Sequence, residues 1–317
     1  MQHCICFEKV SKIFQMHNLK TNFDKIYRIV KSSLSDKLDS TDNLQFYPRL
    51  PKMNDCSIIS LSICQESLGI DSENYLWSKL NNDYGDDFPR LIDRSNFNRR
   101  RRRLQMFVHE VTKKLSENLT EGENIFIVDS IPVPVCKIAR EKRCKFGRES
   151  FEASPDKGYS AVSKSYYYGY KLHLVTSVTG VFYSMDLTKG SVHDVSYLND
   201  IKQNGMKNAT LIGDKGYLSK QIQLDLFHYS NVKLQTPKRS NQKQESHWHP
   251  TFRKSRKRIE TLFSQLCDQM MLKRNYAKTI NGLNTRLISK IAAVTILQFI
   301  NYQQNKPINH LKHALAA

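Results

Sequence analysis

A chain of 317 residues, 39% hydrophobic and 25% charged, is long enough to bury a sizeable core and has the composition of an ordinary globular protein. Its formal charge of +19 points to a polyanionic partner, nucleic acid being the commonest, because each phosphate neutralised by Lys or Arg releases condensed counterions. No uninterrupted apolar run reaches the roughly 18 residues of a membrane span: the best, "ISKIAAVTILQFI" at 288–300, is broken by Lys290 and Gln298, so no membrane is expected.

The opening "MQHCICFEKVSKIF" lacks the charged-then-apolar layout of a secretory signal, and a cytoplasmic protein is expected. Seven cysteines is an odd number, and none forms a CxxC pair. Free thiols are therefore favoured over a disulfide framework, with Cys4-x-Cys6 the weaker alternative as a metal pair.

Residues 1–118 read as helices. "NFDKIYRIVKSSL" places Phe23, Ile26, Ile29 and Val30 at helical spacing. "NDCSIISLSICQESLG" follows Pro51 and stops at Gly69, and "DSENYLWSKL" continues after a break. A further helix opens at Pro89 and includes five consecutive arginines, Arg99, Arg100, Arg101, Arg102 and Arg103. Short helices ending in a basic one suit a DNA-binding region that places a helix in the major groove, although a solvated face or basic linker fits nearly as well.

From Asn124 the periodicity changes. "NIFIVDSIPVPV" is a buried-strand run broken by Pro132 and Pro134, and "YYGYKLHLVTSVTGVFYSMDL" reads as two strands turning near Thr179-Gly180. Helix, strand, helix, strand and two more helices follow, the order of a mixed sheet covered by helices, an α/β (α+β) arrangement. The expected layout is a helical region at 1–118, a catalytic domain at 119–302 with a basic insertion at about 136–165, and a tail at 303–317. The insertion sets Lys142, Arg143 and Lys145 ahead of a run of tyrosines, a mixture suited to gripping phosphates and stacking on bases, or simply a basic loop before a strand. Charge is concentrated here: residues 119–317 hold 30 Lys+Arg against 15 Asp+Glu, and residues 1–118 hold 19 against 15.

Two aspartates share a context. Asp129 follows "IFIV" and Asp214 follows "LIG", each at the carboxyl end of a short apolar strand, where ligands collect in open α/β sheets. Gly213 and Gly216 flank the second and are expected to let the chain turn sharply. Glu260 borders the apolar stripe of Ile259, Leu262, Phe263 and Leu266; taken alone it is more simply a surface partner of Arg256 across one helical turn. Carboxylates of this kind suit Mg²⁺ or Mn²⁺, and two ions can stabilise the attacking and leaving oxygens of a phosphodiester displacement. Ser191 and Asp194, in "KGSVHDVSYL", fit a helix-capping box, with His193 and Asp194 as alternative neighbours of the site.

The ordered set "IVDSIPVPV", "KGSVHDVSYL", "LIGDKGYLS" and "RKRIETLFSQL", with "FPRLIDRSNFNRRRRRL" ahead of it, resembles the DDE transposases of bacterial insertion sequences, most closely the family numbered nine hundred and eighty-two. The resemblance implies an RNase-H-like core with a five-stranded mixed sheet, and Asp129, Asp214 and Glu260 as the catalytic, metal-binding triad, 85 and 46 residues apart. It also implies cleavage of element ends in double-stranded DNA, joining of 3′-hydroxyls to a target, and work as a dimer or larger homo-oligomer at the bacterial nucleoid. Arg256 and Glu260 fit a Tyr, Arg, Glu, Lys pattern of related enzymes, whereas Arg253 and Cys267 stand at its Tyr and Lys positions. Lys215, Arg253, Lys254 and Lys257 join the candidate DNA contacts. A nuclease without strand transfer and an inactive DNA-binding derivative are the rival readings.

Overall fold

The computed structural model describes residues 18–237 and 250–316; Cys4 and Cys6 lie outside the described residues. The chain divides into two compact units, one combining the chain up to Leu115 with Ile288–Ala317, the other formed by Ser116–Leu287.

The first unit is helical. α1 (Leu19–Ser33) buries Leu19, Phe23, Ile26 and Val30 along one stripe, and the Asn18 side chain caps it by accepting from the Thr21 N–H. α2 (Asp55–Ser67) is buried on almost every side and ends before Gly69, whose φ of 66° is a left-handed turn that suits glycine. α3 (Glu73–Asp83) follows. α4 (Arg94–Arg103) begins at Asp93, whose carboxylate accepts from the Asn96 N–H, and not at Pro89 as the sequence suggests. Pro89 lies in a turn closed by Leu91 N–H donating to the Phe88 carbonyl at 3.0 Å. The expected single helix also breaks at Leu104, and α5 (Gln105–Leu119) starts afresh.

The arginine run is divided by the helical period. Phe97 and Arg101, one turn apart, face inward, and Arg101 pairs with Glu73. Arg100 reaches Asp55 at 2.6 Å and the Met53 carbonyl. Arg99, Arg102 and Arg103 remain exposed.

The long C-terminal helix α9 (Ile280–Gln303) contributes its C-terminal part to this unit. By length and composition alone it could cross a membrane, but 89% of its most apolar window is buried inside the protein. It is a core helix, and its polar residues are spent internally: Lys290 pairs with Glu66 of α2, both almost wholly buried, and Ser289 bonds Ser62 at 3.0 Å. A buried pair costs several kcal/mol of desolvation per ion and is kept only by good partners. Lys290→Met, leaving a buried carboxylate without that ammonium, should therefore lower stability by about 3–5 kcal/mol in urea unfolding. Adding Glu66→Leu should recover most of the loss.

The second unit is built on a six-stranded sheet: β1 (Ile125–Cys136), β2 (Asp156–Ser160), β3 (Ser165–Ser177), β4 (Phe182–Lys189), β5 (Thr210–Ile212) and β6 (Lys233–Gln235). The order is β4-β3-β1-β5-β6, with β2 beside the first half of β3 and β4 beside the second. β1 runs antiparallel to β3 and parallel to β5, and β5 parallel to β6. This is the mixed sheet expected, with β2 an additional strand supplied by the basic insertion.

Pro132 and Pro134 do not end β1, which continues to Cys136. The reason is local. β5 stops opposite Ile127, so beyond that point one edge of β1 has no partner strand among the described residues, and a missing proline N–H costs nothing there. α6 (Tyr197–Gln203) and α7 (Lys220–Ser230) supply Tyr197, Leu198, Ile201 and Leu226 to a core with Phe126, Val128, Val175 and Leu211 of the sheet. α8 (Pro250–Asp268) packs against β1.

Candidate carboxylate site

The register of the two parallel strands sets the site. β1 and β5 pair last at Ile127 and Ile212, and Asp129 and Asp214 each lie two residues further on. Neighbouring strands are about 4.8 Å apart, so both carboxylates emerge at the same end of the sheet. Side chains alternate along a strand. Asp129 therefore leaves β1 on the side opposite to Phe126 and Val128, and meets Arg256 of α8, whose Nη2 is 3.9 Å from Asp129 Oδ2. Ser130 takes the other side, and its hydroxyl donates to Asp194 Oδ1 at 3.0 Å.

Asp194 is thus part of the site. The Ser191–Asp194 capping box does not form: His193 precedes a short 3₁₀ turn at Asp194–Ser196 without any side-chain cap. His193 itself is exposed. Asp194 Oδ1 also accepts from Lys171 Nζ of β3 at 3.0 Å.

Asp214 opens the 3₁₀ turn Lys215–Tyr217, with Oδ1 accepting from the Gly216 N–H at 2.7 Å. Gly216 has an ordinary φ, and what it provides is space, not the sharp turn expected. A Cβ there would stand 2.9 Å from Asp214 Oδ1 and 3.3 Å from Asp194 Oδ2. Absence of that one carbon lets two carboxylates approach across the turn.

The result is a concentration of negative charge. Burial pushes the Asp129 carboxyl up to about 7, the Ser130 N–H opposes the rise, the Asp214 carboxylate adds to it, Arg256 offsets it, and Asp194 adds to it again. Tyr217 is fully buried, its hydroxyl raised well above the ordinary range by burial and by all three aspartates. That hydroxyl has no hydrogen-bond partner among the described residues.

Glu260 lies on α8, one turn beyond Arg256, with its side chain exposed, while Ile259 beside it is buried. The only ion pair of Arg256 among the described residues is with Asp129, so the simple Arg256–Glu260 surface pair is not what the helix forms. Among the described residues no three His, Cys, Asp or Glu side chains stand close enough to hold an ion. In chemistry the donor set nevertheless fits one: the aspartates offer hard carboxylate oxygens, and their mutual repulsion is what a divalent cation relieves. Of the candidate cations, Lys142, Arg143, Lys145, Lys215, Arg253, Lys254 and Lys257 are exposed.

Lys171, Ser130 and Tyr217 were not singled out by sequence reasoning. Lys171 carried one usable signal, a lone cation within the otherwise uncharged strand "YYYGYKLHLV".

A mixed sheet in this order, with acids just past the last paired residues of two adjacent parallel strands and helices on its faces, is an RNase-H-like domain. The family described as transposase DDE domain matches residues 120–296, more than half of the chain. The chain belongs to the DDE transposases, a family that acts on DNA and uses divalent metal. No curated protein and no solved structure matches it.

The raised Asp129 carboxyl has a measurable consequence. Its folded value of about 7 lies above the ordinary 3.8, so its favourable contribution is complete below about 4 and lost as pH rises through 7. Above pH 7 the metal-free protein carries a penalty bounded by roughly 4 kcal/mol, at about 1.4 kcal/mol for each pH unit of displacement. Asp129→Asn should raise the unfolding midpoint of the metal-free protein at pH 8 and have little effect at pH 4.5, read by thermal denaturation at both pH values.

Proposed function

We propose that this chain is the transposase of a bacterial insertion sequence of the family numbered nine hundred and eighty-two. In this reading it binds the terminal inverted repeats of its element, cleaves the ends and joins the 3′-hydroxyls to target DNA. The observation that carries the reading is the pair Asp129 and Asp214, each two residues beyond the last paired residues of adjacent parallel strands, inside the region matched by the transposase DDE domain.

Asp129, Asp214 and Glu260 would hold divalent metal, two ions of Mg²⁺ or Mn²⁺, which when bound supply a Lewis acid for the scissile phosphate and lower the pKa of water. The protein's own part is positioning and charge. Arg256 stands over Asp129 and limits the net charge on that side. Lys171 neutralises Asp194 and, through the shared Ser130 contact, fixes the turn after β4 against β1. Lys215, exposed directly after Asp214, would meet a phosphate next to the cut. Lys254 and Lys257 with Arg253 on α8, and Lys142, Arg143 and Lys145 in the insertion, would neutralise the backbone on either side. Arg99, Arg102 and Arg103 are the arginines of α4 left to bind DNA, since Arg100 and Arg101 hold the helical unit together. A dimer bridging two element ends fits the need to join both.

A second reading, an inactive DNA-binding derivative, is favoured by one observation, the exposed Glu260 away from an assembled ligand group. Element-end DNA incubated with the protein and Mg²⁺ or Mn²⁺ separates the readings. Cuts at the end, followed by joined products on denaturing gels, are expected, with no joined products if the enzyme is a simple nuclease. Asp214→Asn should lower cleavage at least a thousandfold and leave end binding within about threefold, because catalysis here is mostly positioning and charge stabilisation. Normal cleavage by Asp214→Asn would refute the assignment, and binding without any cutting would select the inactive derivative. Independently of activity, Mn²⁺ should raise the unfolding midpoint of the wild type and not that of Asp129→Asn.

A further inference from the structure

The basic insertion folds into more than a loop. After β1 it forms a 3₁₀ turn at Ile138–Arg143 and then the hairpin of β2 and the first part of β3. Cross-strand partners set the two faces. Lys157 lies opposite Tyr168, Gly158 opposite Tyr167, and Tyr159 opposite Tyr166.

One face anchors the hairpin. Tyr167 is buried, and a Cβ on Gly158 would fall 2.4 Å from its ring, so glycine is needed for that ring to lie across β2. The opposite face is open. Tyr159 is 54% and Tyr166 67% exposed, and their rings meet edge to face at 5.2 Å and 62°. Such a pair holds each ring in place while leaving faces accessible. At the tip Val162 is 98% exposed and Lys164 is exposed with a φ of 48°.

Charge surrounds this face. Residues 136–165 contain eight Lys or Arg against four Asp or Glu. Lys157 is partly engaged by Glu141 at 2.8 Å, whereas Lys142, Arg143 and Lys145 project from the exposed stretch between the strands. Two exposed aromatic rings cost free energy in water and do nothing for the core, which Tyr167 already serves. Exposed rings held edge to face on an insertion rich in exposed cations are the elements of a platform for unpaired bases: every base has a face that stacks, and cations track a backbone. Paired bases in a duplex do not expose those faces.

We propose that the Tyr159–Tyr166 face of this hairpin binds unpaired bases of single-stranded DNA, the state that a DNA end adopts when it is opened for cutting. The proposal rests on the reading that the chain acts on DNA, but not on the carboxylate assignments.

The test uses the full chain and fluorescence anisotropy with two probes, a labelled oligothymidylate and a blunt duplex of equal length, at one fixed salt concentration. Tyr159→Ala/Tyr166→Ala should weaken oligothymidylate binding by about tenfold or more, the effect of losing stacking on one base, and change duplex binding less than about threefold. Tyr159→Phe/Tyr166→Phe should bind both probes as the wild type does, since the ring and not the hydroxyl stacks. Unchanged oligothymidylate binding by the alanine variant would overturn the proposal, as would equal losses on both probes or loss in the phenylalanine variant. If wild type binds neither probe, the DNA reading itself falls and the hairpin proposal with it. If it binds the duplex and the alanine variant is indifferent to single strands, only the hairpin proposal falls.

Discussion

The second unit depends on keeping three carboxylates within electrostatic reach of one another at one end of a sheet. The cost appears at Asp129, whose carboxyl is pushed up to about 7 chiefly by burial, with the Asp214 and Asp194 carboxylates adding to the rise. A fold selected only for stability would remove one of these acids. The surrounding residues instead hold them in place. β1 and β5 fix the spacing of Asp129 and Asp214 through backbone pairing, which no side-chain repulsion can readily undo. Gly216 removes the carbon that would separate Asp214 from Asp194. Lys171 and Arg256 bring cations from two different elements, one beside Asp194 and the other beside Asp129. The arrangement is destabilising as it stands and would be relieved by added positive charge, which is the condition the proposed catalytic role requires.

Much of this frame is legible in the amino-acid sequence, for identifiable reasons. "IFIV" and "LI" announce buried strands because short apolar runs bounded by polar residues leave little else for the chain to do. "LIGD" does end in a turn at its acid, whereas β1 runs past Asp129 to Cys136, so the expected strand end there is not found. The hairpin at Thr179-Gly180 is announced by β-branched runs around a glycine, and Gly180 does take a φ of 88°. What is not legible depends on partners distant in sequence. Nothing near Pro132 reveals that β5 will stop at Ile212 and leave that edge of β1 unpaired. Nothing near Asp194 reveals Lys171 and Ser130, 23 and 64 residues away, so the local capping pattern looks the better explanation until the strands are assembled. The roles of Asp129, Asp214 and Glu260 are a matter for the cleavage and metal experiments; the register shows only which of them the backbone brings to one place.

The arginine run shows the same limit from the opposite direction. Five consecutive cations look like a DNA-facing surface, yet a helix must turn some of them inward. Phe97 is the informative residue: an apolar anchor on an otherwise polar helix marks the buried stripe, and Arg101, four residues later, falls on it. Arg101 sits over the Phe97 ring at 5.5 Å while pairing with Glu73. Its guanidinium can do both because it is planar and weakly hydrated, where a lysine ammonium would not serve equally.

The two units therefore treat charge in opposite ways. In the helical unit Arg100, Arg101 and Lys290 each enter a shielded environment already joined to a carboxylate, and the desolvation cost is met within the unit by ion pairs and hydrogen bonds. In the sheet unit the negative charges are gathered with too few internal cations, and the positive charges are left on the surface with too few internal anions. Lys142, Arg143, Lys145, Lys215, Lys254 and Lys257 face solvent, and Asp214 and Asp194 both raise the Asp129 carboxyl. Internal rearrangement does not neutralise that separation, because the sheet holds the acids and the insertion and α8 hold the bases. In the proposed function, a metal ion brought to the acids and a phosphate backbone brought to the bases would neutralise both at once, and a DNA–metal complex, not a more compact form of the protein alone, would be the electrostatically satisfied state of this unit.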